Sequence, residues 1–280
     1  MVVAPVVYCL LAISSPTRLD EASHLIAALF PGAGAYRNRV ALGRAAQLGD
    51  GGSGDTPLVY RPGSIGSKVV DTSLTYGEFD LSFFAALTDA ALTEGGRTVS
   101  GQTFVDVGSG CGRLVFAAGV LWPALARCVG IEVVESLHML GFEALPRASA
   151  LLAGEPPQGD SYAHHERAAF SARQRPRLQL LCGDASSGLA RVAGGEPVCA
   201  FAYSTAFASV GITLTDFSLA CSTLPAGSRV VTIDKVLAID DPCLEGSELL
   251  MTLEGPNAET GGSSIGYVWE IGQGQGSAGR

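Results

Sequence analysis

Apolar positions along this chain recur in two rhythms, one helical and one of short unbroken runs. Across "GEFDLSFFAALTDAALTE", residues 77–94, Phe79, Phe83, Leu87 and Leu92 fall at helical spacing and predict an amphipathic helix packed on a sheet. Five short apolar runs follow, Thr103–Val107, Arg127–Val133, Leu178–Cys182, Val198–Tyr203 and Ser228–Val236, each of strand length. Helical stretches lie between them, among them Cys111–Leu121 and Glu135–Ala144. Two later runs, "SELLMTLEG" and "IGYVWEIG", predict an antiparallel pair that completes the sheet. Strand alternating with helix predicts an α/β fold with a doubly wound, seven-stranded, mostly parallel sheet of Rossmann-like type.

Upstream the pattern is less regular. Two apolar stretches, "VVAPVVYCLLAI" and "EASHLIAALF", break at Pro31–Gly32 and again at "LGDGGSGDTP", residues 48–57, which reads as a linker. The expectation is an N-terminal extension over residues 1–58, a domain over 59–272 starting near Val59, and a low-complexity mobile tail over 273–280. The opening "MVVAPVVYCLLAISS" reads either as a first strand or as a targeting segment, which leaves nucleus, cytoplasm and organelle open. Between Leu152 and Arg177 an arginine-bearing insertion, with Arg167, Arg173, Arg175 and Arg177, interrupts the rhythm as a solvated loop or a substrate-facing flap.

Composition narrows the function classes. Of 280 residues, 47% are hydrophobic and 16% charged, which fits a buried core and excludes a largely disordered chain. No apolar run is long enough to span a bilayer, and no membrane association is expected. The net charge of −9 repels phosphate backbones, so no direct nucleic-acid binding is expected, while a basic protein partner is compatible. The seven cysteines are scattered without a C-x-x-C pair and read as small core hydrophobes. The adjacent His164 and His165 lie in a polar segment with no further ligand at metal spacing, and no metal site is expected.

The chemistry concentrates in "FVDVGSGCGRLVF", residues 104–116, where a strand runs into Gly108, Gly110 and Gly112. A bare backbone turn before a helix makes a small-molecule cradle. A dinucleotide motif needs its third glycine where Arg113 stands, and a P-loop needs a Lys-Ser/Thr pair that is absent. What remains is Asp106-x-Gly-x-Gly-x-Gly, an acid beside a bare backbone, suited to the ammonium of S-adenosylmethionine (SAM). Glu132 closes the second strand, where a carboxylate accepts from both hydroxyls of a ribose, of SAM or of NAD alike. Asp184 follows the third strand, where it can accept from an adenine amino group. Acids after three successive strands, without the phosphate glycine, favour SAM as the cofactor.

With Tyr76-Gly77-Glu78 ahead of this turn, residues 75–236 resemble the non-SET histone-lysine methyltransferases of the disruptor-of-telomeric-silencing (Dot-one) family. That family carries a Tyr-Gly-Glu loop, then Phe-Val-Asp-Leu-Gly-Ser-Gly-x-Gly, then Gly-Val-Glu and Gly-Asp-Phe. Here stand Phe104-Val105-Asp106-Val107-Gly108-Ser109-Gly110-Cys111-Gly112, Gly130-Ile131-Glu132 and Gly183-Asp184-Ala185. The resemblance implies the class I SAM-dependent methyltransferase fold. It also implies that Tyr76, Gly77, Glu78 and Phe79 wrap the methionine end of SAM. Asp106, Gly108, Ser109, Gly110 and Gly112 cradle it, Glu132 meets the ribose, and Asp184 with Ala185 lies near the adenine. Where the family has Asn-Asn-Phe-x-Phe after the fourth strand, this chain has Tyr203-Ser204-Thr205-Ala206-Phe207.

The function implied is methyl transfer from SAM to a protein lysine, with a histone among the possible partners. A small-molecule methyltransferase and a SAM-binding protein without activity stay open as alternatives. Tyr203 and Ser204 are the catalytic candidates and Phe207 a wall of the substrate channel, with Tyr76 opposite. Arg113 is expected to pair with a nearby acid, and Glu78 to lie near the cofactor's positive centre or to act as a plain helix-start acid.

Overall fold

Five parallel strands and an antiparallel hairpin form one sheet in the computed structural model, which describes residues 16–48, 76–154 and 175–272. The strands are β1 (Thr103–Val107), β2 (Arg127–Glu132), β3 (Arg177–Cys182), β4 (Val198–Ala202), β6 (Arg229–Ile233), β8 (Glu248–Pro256) and β9 (Ser263–Glu270). Two-residue strands β5 (Thr213–Leu214) and β7 (Val236–Leu237) pair separately. The main sheet has the order β3-β2-β1-β4-β6-β9-β8, with β9 antiparallel to both neighbours. The doubly wound, seven-stranded, mostly parallel fold expected from the apolar rhythm is the fold observed.

The helices are α1 (Pro16–Leu29), α2 (Ala33–Leu48), α3 (Leu81–Thr93), α4 (Arg113–Leu121), α5 (Glu135–Ala153), α6 (Ala185–Ala193) and α7 (Thr215–Cys221). Strand side chains alternate between two cores, as a pleated sheet covered on both faces requires. Phe104, Cys128, Phe201, Val231 and Val268 enter the core under α1, α3 and α4, whereas Val105, Val129, Ala200 and Val230 enter the core under α6 and α7. Helix α3 starts where the Asp80 carboxylate accepts from the Phe83 N–H at 2.8 Å, an N-cap, and it buries Phe83, Phe84 and Leu87. Phe84 packs edge-on against Phe104, Trp122 and Phe201; truncating it to alanine would cost about 3–5 kcal/mol.

Several boundaries differ from the expectation. Residues 16–48 are not an appendage: α1 buries Ala22, Leu25, Ile26 and Leu29, a helical stripe, in the same core as α4. The linker beyond Leu48, the boundary near Val59, most of the arginine-bearing insertion with His164 and His165, and the tail lie outside the described residues. The run Ser228–Val236 is divided at Asp234, whose φ of +57° turns the chain between β6 and β7. Its carboxylate accepts from the Ile265 N–H at 2.7 Å and the Ser264 hydroxyl at 2.8 Å, which holds that left-handed conformation. Helix α5 continues nine residues past Ala144 to Ala153 through Pro146, ending at the left-handed Gly154. No described helix is long and apolar enough to cross a membrane.

Candidate active site

A cavity opens at the C-terminal ends of β1, β2, β3 and β4, where the strand order reverses and a doubly wound sheet leaves a crevice. It is lined by Tyr76 to Phe79, Asp106 to Gly110, Arg113, Glu132, Gly183, Ala185, Tyr203 and Phe207, together with apolar Leu114, Ile131, Val133, Val134 and Leu137. Of the residues singled out in the sequence, Tyr76, Gly77, Glu78, Phe79, Asp106, Gly108, Ser109, Gly110, Glu132, Ala185, Tyr203 and Phe207 meet here. Three do not line it: Gly112, Asp184 and Ser204.

The turn after β1 is clamped to β2. Gly108 and Ser109 donate to the Ile131 carbonyl at 2.8 and 3.1 Å, and the Gly110 N–H donates to Glu132 Oε2 at 2.6 Å. At Gly110, φ is +54° and a Cβ would lie 2.6 Å from Tyr76 Cε2, so conformation and close approach both require glycine. Gly112 caps α4 and packs against Leu180 and Phe116, turned to the core and not to the cavity.

The three acids sit in different environments. Glu132 is buried, accepts from Gly110 and also from the Val134 N–H at 2.7 Å, and has its pKa raised by burial against those bonds. Asp106 is 3% exposed, and no hydrogen bond from a described residue reaches its carboxyl group. Burial, then the charge of Glu132, push its pKa up to about 8, with Arg113 opposing. Asp184 is exposed and N-caps α6, accepting from the Ser187 N–H at 2.9 Å and hydroxyl at 2.7 Å. These bonds hold its pKa low, and its backbone neighbours Gly183 and Ala185, not its carboxylate, line the cavity. The side chain expected at the adenine thus caps α6 and stands outside the cavity lining.

The Tyr76–Phe79 loop is held from two sides. Arg39 on α2 donates through Nε to the Tyr76 hydroxyl at 2.9 Å and to Glu78 Oε1 at 3.0 Å, and its Nη2 forms a further close ion pair with Glu78. Arg113 approaches Glu78 Oε2 at 3.6 Å and donates to the Phe79 carbonyl at 2.9 Å, the acid pairing expected of it. Glu78 is thus compensated by two guanidinium groups, which leaves it no free charge to offer a cofactor. The Phe207 ring comes within 3.3 Å of a Cβ built on Gly108 and walls the cavity.

Of the two catalytic candidates, only Tyr203 stands at the cavity. Its ring lies 4.9 Å from that of Phe79, and its hydroxyl donates to Glu259 Oε2 at 3.4 Å. Ser204 is fully buried: its hydroxyl donates to the Ile233 carbonyl and accepts from the Ile233 N–H, both at 2.9 Å, stitching the end of β4 to β6. Its catalytic assignment is withdrawn, because both partners of that hydroxyl are backbone. Sequence reasoning missed Arg39 and Glu259. Glu259, in the β8–β9 turn, accepts from the Glu78 N–H at 2.8 Å and from the Tyr36 hydroxyl at 3.3 Å. No local sequence pattern pointed to it; in the fold it covers Gly77, where a Cβ would lie 2.7 and 2.8 Å from the two Glu259 oxygens.

The fold and this site define a class, a Rossmann-like α/β protein with a carboxylate-lined cradle at the strand-order reversal. No protein-family model matches the chain, and no curated protein does. Solved structures of similar shape include an rRNA methyltransferase, aviRa, from Streptomyces viridochromogenes, at a TM-score of 0.48 and 15% identity over 76% of this chain and 88% of that one. A tRNA methyltransferase of B. subtilis, TrmK, gives 0.41 and 12% over 67% and 64%. A precorrin-6y C5,15-methyltransferase from Geobacter metallireducens gives 0.38 and 16% over 67% and 87%. This chain therefore spans under two thirds of the length of TrmK, and none of the three is described as a histone methyltransferase. All three scores lie below 0.5; the fold rests on strand order and connectivity.

The residues present fit SAM. A buried carboxyl that accepts no hydrogen bond from a described residue faces the cavity at Asp106, a second buried carboxylate backs the turn at Glu132, and Gly110 has no room for a side chain.

Proposed function

We propose that this chain is a SAM-dependent methyltransferase whose acceptor is the amine of a protein lysine. The observation that carries the cofactor is Asp106, a buried carboxyl that accepts no hydrogen bond from the described residues, beside a bare glycine turn, where a cationic ligand gains far more than a phosphate. Asp106 would hold the ammonium of SAM and Glu132 its ribose hydroxyls, with Gly108 and Gly110 beneath and Gly183 with Ala185 at the adenine end. Bound there, SAM supplies an electrophilic methyl group, and no metal is required for its displacement.

The chain's own contribution is alignment and exclusion of water. Phe79, Phe207 and the Tyr203 ring form apolar walls, which disfavour the ammonium form of an entering lysine and free its lone pair. Burial and the nearby Glu259 charge hold the Tyr203 phenol up at about 12, so it stays a neutral donor that orients and takes no proton. The lysine acceptor is supported by the Dot-one-like Tyr76-Gly77-Glu78 loop and by a net charge of −9, which also disfavours a nucleic-acid acceptor. A small-molecule acceptor is the second reading, favoured by Tyr203-Ser204 standing where the family has paired asparagines.

Calorimetric titration with SAM and with NAD tests the cofactor; micromolar SAM binding without NAD binding is expected, and the reverse overturns the proposal. Transfer of labelled methyl groups from SAM to a cell lysate tests the acceptor. Labelled protein, hydrolysed to methyl-lysine, is expected; label confined to an organic extract selects the small-molecule reading.

A further inference from the structure

At the cavity mouth stands a carboxylate, Glu259, that no described residue neutralises. Glu78 meets Arg39 and Arg113, but no cation among the described residues lies within ion-pair reach of Glu259. Glu259 is exposed, yet its backbone is built. Asn257 Oδ1 accepts from the Glu259 and Thr260 N–H groups at 3.0 and 3.1 Å, and Asn257 Nδ2 donates to Ser264 at 2.9 Å. Ser264 in turn donates to Asp234 at 2.8 Å, fixing the turn to the end of β6. The carboxylate is thus aimed by a chain of hydrogen bonds over Gly77, between the phenols of Tyr36 and Tyr203.

Both phenols donate to this carboxylate, and Tyr203 also lines the cavity. Tyr36 is 39% exposed, so solvent and an incoming substrate reach the group from outside. From the described residues Oε1 accepts two bonds, whereas Oε2 accepts one long bond from Tyr203, which leaves it a lone pair toward the mouth. A carboxylate with an open acceptor direction, flanked by aromatic rings, recognises an ammonium group.

We propose that Glu259, flanked by Tyr36 and Tyr203, is the acceptor-binding residue of this site and selects a substrate bearing a primary ammonium. This rests on the methyltransferase reading and names the group that chooses its acceptor. Glu259 captures the cationic side chain at the rim, and the amine then passes between Tyr203 and Phe207 toward the cofactor.

Glu259→Gln isolates the charge, because an amide oxygen can still accept from the Glu78 N–H. The probe is methyl transfer from labelled SAM to an oligolysine peptide, with the SAM dissociation constant measured by calorimetry on the same preparations. The expected result is a KM for oligolysine raised roughly tenfold or more, the loss of a charge-assisted bond, with SAM affinity within about twofold of wild type. The wild-type KM should rise with salt and that of the variant should hardly change. Unchanged KM in the variant overturns the proposal while the methyltransferase reading stands. SAM binding by the wild type without transfer to any amine overturns it together with the lysine reading, and absence of SAM binding overturns the cofactor reading itself. Glu259→Ala separates the bland role: a residue that merely latches the loop loses SAM affinity in this variant and leaves the oligolysine KM of Glu259→Gln at its wild-type value.

Discussion

Arg39 and Glu78 stand 39 residues apart in sequence, yet they form a close ion pair at the edge of the cavity. The Arg39 side chain is 6% exposed and stacks over Phe30 and Tyr76, so α2 reaches from outside the sheet to fix the loop that borders the cradle. Arg39→Ala leaves Glu78 with the more distant Arg113 as its cationic partner among the described residues, beside the Tyr76 hydroxyl that donates to it at 3.0 Å. It is expected to cost about 2 kcal/mol of stability and to weaken SAM binding, as the Tyr76 loop loses its outer anchor. Thermal melts with and without SAM check both effects; an unchanged melting temperature would remove α2 from the support of the site.

Asp106 carries a pH dependence of definite sign. Its pKa rises from 3.8 in the unfolded chain to about 8 in the fold, chiefly through burial. Between those values the folded chain holds a proton that the unfolded chain has released, so stability falls as pH rises from about 4 to about 8 and the loss is complete above it. Glu132, also raised by burial, adds a contribution of the same sign. Binding of a cationic ligand favours the ionised carboxyl, so SAM affinity should increase with pH up to about 8 and binding should release a proton. Calorimetry in buffers of different ionisation enthalpy measures that release. Asp106→Asn should abolish it and flatten the fall in melting temperature.

Gly77 and Glu259 are coupled through space. A methyl group at residue 77 needs the volume the Glu259 oxygens occupy, 2.7 and 2.8 Å away, and moving them deprives the Glu78 N–H of its acceptor. Gly77→Ala is therefore expected to cost about 1 kcal/mol in the wild type and only a few tenths where residue 259 is already alanine. Chemical denaturation of the four proteins of the cycle measures the difference; strictly additive costs would show that the two groups do not share this space.

Ser204→Ala tests the reassignment of a predicted catalytic hydroxyl. Ser204 is the buried acceptor of the Ile233 N–H, so its loss is expected to cost about 1–3 kcal/mol while SAM affinity and turnover at saturating substrate are retained. A collapse of turnover in a folded variant would restore the catalytic role.

What the sequence made legible is what local pattern encodes. Thr103–Val107 and Val198–Ala202 are short and wholly apolar apart from Thr103 and Asp106, and Gly110 announces a left-handed turn, so strands, cradle and the acid closing β2 could be read. The stripe Ala22, Leu25, Ile26 and Leu29 inside the apolar stretch carries the spacing of a core helix. Asp184 followed by Ser187 is the spacing of an N-cap, a role for its carboxylate that local pattern encodes. Glu259 was out of reach, because it meets Glu78 across 181 residues and no local rule aims a hairpin tip at a distant glycine. Ser204 was misread for the same reason, since only the parallel pairing of β4 and β6 brings Ile233 to its hydroxyl.

Tyr203 is the remaining catalytic candidate, and its phenylalanine variant separates ring from hydroxyl. The ring packs on Phe79, at a centroid distance of 4.9 Å, and a phenylalanine keeps that contact, so folding and SAM affinity should change little. The hydroxyl is what is lost. With a pKa pushed up to about 12 it stays protonated across the working range, so it contributes by donating to Glu259 and orienting what Glu259 holds, not by accepting a proton. Orientation lost at the mouth lowers kcat more than it raises the KM for SAM, and a fall of roughly tenfold in turnover on an amine substrate is expected. Because a pKa of about 12 keeps the phenol protonated across the working range, the pH–rate profile of Tyr203→Phe should keep the wild-type shape at reduced height. A profile that loses its alkaline limb instead would assign the hydroxyl a proton-transfer role, and undiminished turnover would take Tyr203 out of the reaction altogether.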